Sequence, residues 1–352
     1  MPAQAASARA DTIWYISTRA RENGRVLRRL ADSLEFGYVV SSVKSDGDVI
    51  VNALGLTFRD SVRLSRSAFI ESLRERSGGT STADPVAILY VHGFGTWQHE
   101  LFSHATQSSI RSRSPIPWVV FSWPSRGSGI TWPRAGEVFA RAYWEDSASA
   151  MASGPALAEG LHAVLDAVGG AHVLLVAHSL GAQVTSATLA GNDSLRQRLA
   201  ADPLRAFAFF APDVDAKRFR DTVVPAMLPL THRLLLYASE HDRILQMSKA
   251  LNKGDRAGLI RGSPPLPIRL AGLETIDVTD GLASGGWMQR VFGSHHGLNR
   301  ASAALFDLTQ LVARKFPAAC RATLGTASLL IGGEWRLTSM SPPDPVALDA
   351  CR

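Results

Sequence analysis

Five short apolar runs recur through the middle of the chain: 86–91 (VAILYV), 118–121, 173–177 (VLLVA), 206–210 and 234–238, with a weaker sixth at 276–278. They are nearly uninterrupted and too short for helices, the pattern of strands buried on both faces. Stretches at 97–110, 155–167 and 180–189 have helical character and separate most of them. Apolar strands alternating with helices predict a mostly parallel sheet with helices on both faces. Upstream, β-like runs at 12–17, 36–43 and 48–51 precede a helix over 65–76, where Phe69, Ile70 and Leu73 fall at helical spacing. A polar, glycine-bearing connection at 77–84 leads into the first buried strand. After residue 313 the character changes. Leu329-Leu330-Ile331, Gly332-Gly333 and Glu334-Trp335-Arg336-Leu337 read as a small hairpin, followed by a proline-rich stretch at 341–345. The expected organisation is a main domain over 1–312 and a C-terminal appendage over 313–352.

Composition fits that picture. With 352 residues, 46% apolar and 19% charged, the chain can bury a large core and long disorder is not expected. No run approaches the roughly eighteen apolar residues of a membrane span, and the first nine residues lack the basic start and apolar stretch of a signal peptide, so a cytoplasmic protein is expected. The formal net charge is +6, but the basic residues are scattered and not interleaved with aromatics. Nucleic acid is therefore not an expected partner. The charge admits a weak attraction to anionic membrane surfaces without predicting one. Cys320 and Cys351 have no metal-ligand spacing and are expected as two separate thiols.

The most informative stretch is Val173-Leu174-Leu175-Val176-Ala177-His178-Ser179-Leu180-Gly181. A buried strand runs into a small-x-Ser-x-Gly turn and on into a helix, the sequence form of a nucleophile elbow, in which a sharp turn lifts the serine Oγ above the sheet. Ala177 stands where glycine is commoner. A serine nucleophile needs a base, itself oriented by an acid, and with this elbow they follow in the order Ser, acid, His. Asp242, just past the strand at 234–238, is the first candidate acid; Asp213, after the strand at 206–210, is the alternative. The base is sought in the pair His295-His296, with His296 preferred because Gly297 and the following helix resemble the usual junction, and His295 as the alternative. The strand at 86–91 ends in Tyr90-Val91-His92-Gly93-Phe94-Gly95. A His-Gly start there commonly aims a backbone N–H at the oxyanion formed during acyl transfer, so the expected donors are the amides of Phe94 and Leu180. His92 and His178 read as structural residues.

These blocks resemble a bacterial α/β-hydrolase family of unknown function. The shared segments are Ile13 to Arg19 (IWYISTR), Val91 to Phe94 (VHGF), Phe121 to Gly127 (FSWPSRG), Ala177 to Gly181 (AHSLG), Ala211 to Asp215 (APDVD), Tyr237 to Leu245 (YASEHDRIL) and Ile276 to Asp280 (IDVTD). The FSWPS block is the most diagnostic. The resemblance implies the α/β-hydrolase fold, Ser179 as nucleophile, Asp242 as acid and a histidine near 296; Leu298 stands where the family usually has tyrosine.

Two stretches read as lid-like insertions, one near 127–150 with Trp132, Phe139, Tyr143 and Trp144, the other at 281–294 with Trp287, Met288, Val291 and Phe292. Apolar covers over a serine suggest uncharged carboxylic esters with apolar acyl groups. No metal-ligand spacing and no phosphate-cradling loop appears, so no metal and no cofactor is expected. The same triad could serve an acyltransferase or thioesterase, and a non-catalytic binding protein is the reading from a different class.

Overall fold

The computed structural model describes residues 9–43, 56–78, 86–125, 135–262, 265–280, 302–338 and 345–351. They form an eleven-stranded sheet in the order β12-β13-β11-β8-β7-β6-β4-β5-β1-β2-β3. The central strands are β4 (Ala87–Val91), β5 (Trp118–Ser122), β6 (Val173–His178), β7 (Ala206–Phe210), β8 (Leu234–Ala238) and β11 (Leu273–Asp277), within a residue or so of the expected apolar runs except at β11. All are parallel, and β1 (Arg9–Glu22) joins them parallel to β5. A short hairpin, β9 (Arg261–Gly262) and β10 (Pro265–Leu266), stands apart.

The apolar runs are uninterrupted because each strand feeds two cores. Leu89, Val91, Leu175, Ala177, Phe207, Phe209 and Leu236 point to one face. There they meet α1 (Arg66–Gly78), α3 (Ala135–Ala152), α4 (Gly154–Val168), α5 (Leu180–Gly191) and α6 (Asp193–Ala201). Their neighbours Ile88, Tyr90, Leu174, Val176, Ala208, Leu235 and Tyr237 point to the other, against α2 (Gln98–Ser112) and the helical stretch 302–313. Between β7 and β8 lie the short helices α7 (Ala216–Arg218) and α8 (Val224–Met227), and α9 (Arg243–Asn252) follows β8.

Both ends of the sheet differ from expectation. The runs at 12–17 and 36–43 belong to a long hairpin, β1 with β2 (Arg25–Val43), continued by β3 (Leu56–Leu64); the run at 48–51 lies outside the described residues. The hairpin turns at Asn23-Gly24, both with positive φ (48° and 77°), as a two-residue turn of this type requires. At the other end, β12 (Ala327–Leu329) and β13 (Trp335–Leu337) form the expected hairpin, but β13 also pairs parallel to β11, so the segment after 313 extends the main sheet. It is anchored by the buried Arg321, whose guanidinium pairs with Asp307 at 2.6 Å and Glu274 at 2.9 Å. Cys320 and Cys351 correct the expectation of separate thiols: they form a disulfide, because the last helical turns fold back and bring their Cα atoms to 5.4 Å across 31 residues.

Candidate active site

Between β6 and α5 there is a single residue, Ser179, so the chain must reverse direction within one peptide. It does so with φ 53° and ψ −120°, a conformation strained for a residue with a Cβ. The turn is fastened to its neighbours: the Ser179 N–H donates to Phe210 O (3.1 Å), and Ser179 O accepts from the N–H groups of Ala182 (3.0 Å) and Asp213 (3.1 Å). Leu180 opens α5, and the first N–H groups of a helix have no intrahelical acceptor.

Two glycines show how closely the loop after β4 lies against this turn. A Cβ on Gly93 would sit 2.6 Å from the Ser179 Cβ, and one on Gly181 would sit 2.5 Å from Val91 O and 2.6 Å from His92 O. The His-Gly-Phe-Gly and His-Ser-Leu-Gly motifs are thus two sides of one contact, and each requires its glycine. The Gly93–Phe94 peptide accordingly lies beside the serine. Among the described residues none accepts a hydrogen bond from the Phe94 N–H.

His92 has the structural place expected of it. Its ring stacks on Trp123 with centroids 4.6 Å apart and planes 7° apart. The Trp123 backbone N–H donates to Nε2 (3.2 Å), which places the proton on Nδ1, where it is donated to Gly93 O (2.8 Å). Burial first, then the nearby Arg19 charge, push the His92 pKa down to about 3, so the ring is neutral and bridges the loops after β4 and β5. His178 stacks on Tyr90.

The two candidate acids have different surroundings. Asp242 is buried at the N-cap of α9, where its Oδ1 accepts from the Leu245 N–H at 2.9 Å. Asp213 is also buried, but its Oδ1 accepts from Ser248 Oγ (2.6 Å) and faces the buried Arg256 guanidinium at 3.4 Å, which also lies 3.8 Å from Asp215. Tyr143 adjoins this cluster, its hydroxyl accepting from Asn252 Nδ2 (3.1 Å), and burial followed by the Asp213 charge raises its pKa. Asp213 therefore holds α9 and its loop to the end of β7. His295 and His296 lie outside the described residues, as do Trp132 and the whole stretch 281–294. Of the first lid-like stretch, Phe139 and Tyr143 are buried in α3 and pack on Phe94 at ring distances of 5.3 and 6.2 Å, while Trp144 is 49% exposed.

A buried polar cluster beside the Phe94 loop has no counterpart in the sequence reading. Arg19, 2% exposed, donates from Nε to Ser122 Oγ (2.9 Å), from Nη1 to Ser125 O (3.1 Å) and from Nη2 to Thr96 O (2.8 Å). The buried Asp146 accepts from the Gly95 N–H (3.0 Å) and from Ser125 Oγ, and Ser125 Oγ accepts from the Thr96 N–H (3.1 Å). Burial lowers the Arg19 pKa to about 10, against the opposing pull of Asp146. The ISTR and FSWPS blocks carried the signal, but an arginine on a strand reads as exposed. Among the described residues no group of three or more His, Cys, Asp or Glu side chains could hold a metal ion.

Solved structures with slight similarity include an esterase/lipase from an uncultured bacterium, 12% identical over 88% of this chain and 85% of that one (TM-score 0.33). A thermophilic carboxylesterase cloned from a metagenomic library is 11% identical over 88% and 92% (TM-score 0.34), and an esterase of Pyrobaculum calidifontis 10% over 87% and 85% (TM-score 0.34). Similarity at this level assigns no activity. No curated protein matches the sequence. The family described as "Alpha/beta hydrolase of unknown function (DUF900)" matches residues 79–296, which take in the Phe94 loop, the Ser179 turn and both candidate acids. The chain belongs to this α/β-hydrolase family.

Proposed function

We propose that the protein is a serine hydrolase that cleaves carboxylic esters through an acyl-enzyme on Ser179. The observation that carries this reading is the Ser179 turn, a strained backbone at φ 53° between a buried strand and a helix, with Gly93 packed against its Cβ. Such strain persists only where the surroundings enforce it, and it clusters at functional sites. Ser179 Oγ attacks the ester carbonyl while a histidine of the 295–296 pair, His296 by preference, takes its proton. The tetrahedral oxyanion accepts hydrogen bonds from the Phe94 and Leu180 amides, and collapse expels the alcohol, which takes the proton back. Water then repeats the sequence and frees the acid. Asp242 orients the histidine and stabilises its cation. The substrate in this reading is a small-molecule ester with an uncharged, apolar acyl group.

A chain-length series of aryl esters, assayed with water alone and with added alcohols or amines, tests the reaction type. The hydrolase reading expects acid release to dominate throughout. Product partition toward the added acceptor, far above its share of the solvent, would instead make the protein an acyltransferase. Turnover confined to acyl thioesters would make it a thioesterase.

A further inference from the structure

We infer that Arg19, working through Ser122, Ser125 and Asp146, is a positioning residue that sets the Phe94 amide at the oxyanion site. The inference rests on the proposed acyl-enzyme chemistry.

Its basis is where the hydrogen bonds end. Phe94 is followed by Gly95 and Thr96, and the cluster takes up the Gly95 N–H, the Thr96 N–H and the Thr96 carbonyl. Three of the four polar backbone groups of Gly95 and Thr96 are thus tied to buried side chains, while the Phe94 N–H itself has no acceptor among the described residues. The ties come from three distant places. Arg19 is on β1, Ser122 and Ser125 are at and beyond the end of β5, and Asp146 is on α3. Arg19 spans them because a guanidinium offers donors in a rigid planar fork, and here three of its nitrogens are used at 2.8–3.1 Å. His92 and Trp123 brace the same loop just upstream of Phe94, through His92 Nδ1 to Gly93 O and the two Trp123 hydrogen bonds to His92. An oxyanion donor is effective only if it is aimed before charge develops, and a loop of two glycines would not hold its aim unaided. The arrangement also gives a physical role to the two sequence blocks, ISTR and FSWPS, that the triad leaves unexplained.

The test uses Ser125→Ala, Asp146→Asn and Arg19→Lys in the full chain. For each, kcat and KM on a short aryl ester are measured with the inhibition constant of an alkyl trifluoromethyl ketone, whose serine adduct carries the oxyanion. Removal of one oxyanion donor costs on the order of 100- to 1,000-fold in kcat; a loosened donor is expected to cost about 10- to 100-fold. KM should stay within about twofold, and the inhibition constant should rise by the same factor that kcat/KM falls. Arg19→Lys keeps the charge without the fork and should be as impaired as Asp146→Asn. Ser125→Ala removes one hydroxyl and decides the matter if the two charge-site variants do not fold. Folded variants with wild-type kcat overturn the inference, as does a loss of kcat that leaves the inhibition constant unchanged. Ser179→Ala, run alongside, separates the two claims: if it is as active as the wild type the acyl-enzyme reading fails, whereas unimpaired network variants beside a dead Ser179→Ala sink only the positioning role.

Discussion

Asp242 and Asp213 are both buried carboxylates at the ends of neighbouring strands, and what each already holds distinguishes them. Asp242 caps α9 through one oxygen. Asparagine caps a helix about as well as aspartate, so Asp242→Asn should melt within a degree or two of wild type. Its kcat should nonetheless fall by orders of magnitude, about 10⁴-fold in the worked serine-protease case. Asp213→Asn takes the charge away from Arg256 in a buried pair, a change that typically costs about 3–5 kcal/mol. It should lower the melting temperature while sparing turnover at temperatures where the variant is folded. The reverse pattern would move the acid to the end of β7. His92 supplies a second residue-scale prediction. Its folded pKa of about 3 lies below the ordinary histidine value, so between pH 6.5 and 3 the unfolded chain binds the extra proton. The stabilisation is therefore complete above about pH 6.5 and is lost as pH falls, by about 1.4 kcal/mol per unit. A His92→Asn variant, followed by urea unfolding at pH 7 and pH 5, should show a shallower acid loss than wild type. An equal slope would mean that His92 is not the group responsible.

At the scale of elements, the C-terminal segment is more than an addition to the sheet's edge. Arg336 on β13 reaches Asp277 (3.5 Å) and Asp280 (2.9 Å) at the end of β11, so the hairpin braces the chain just before residue 281. The disulfide closes a 31-residue loop around this unit, and chain entropy for a loop of that length is worth about 3–4 kcal/mol. A Cys320→Ser/Cys351→Ser double variant should lose stability of that order in denaturant titration, and wild type should show no titratable thiol when unfolded without reductant. A full count of two thiols would contradict the bond. Disulfides persist in oxidising compartments and are rare in a reducing cytosol, so the bond adds nothing to the expectation of a cytoplasmic protein. No helix among the described residues is long and apolar enough to cross a membrane. The central strands were legible in the sequence because burial on both faces leaves little but apolar residues over five or six positions. The arm of β1 and β2 was not: beyond the core its exposed residues, Arg25, Arg28, Arg29 and Asp32, look like loop, although Asn23-Gly24 marked the turn. Cys320 and Cys351 could not be paired from spacing, since only the fold-back of the last turns brings them together.

For the molecule as a whole, the parallel strands end on one side, and β4, β6, β7 and β8 deliver there the Phe94 loop, Ser179, Asp213 and Asp242. Binding at the carboxyl ends of the strands is the general habit of open α/β sheets. The elbow and the His-Gly loop were legible because each needs glycine at a fixed place. The buried supports, Arg19, Asp146 and Arg256, were not, because charged residues are rarely fully buried without partners and sequence does not display the partners. The central claim is that Ser179 is the nucleophile. Incubation with an alkyl fluorophosphonate, followed by intact mass and peptide mapping, tests it most directly. One adduct per chain is predicted, on the peptide containing Ser179, with none on Ser179→Ala and at least a thousandfold loss of esterase kcat in that variant. An adduct on another residue, or a Ser179→Ala protein that is still labelled and still active, would contradict the account.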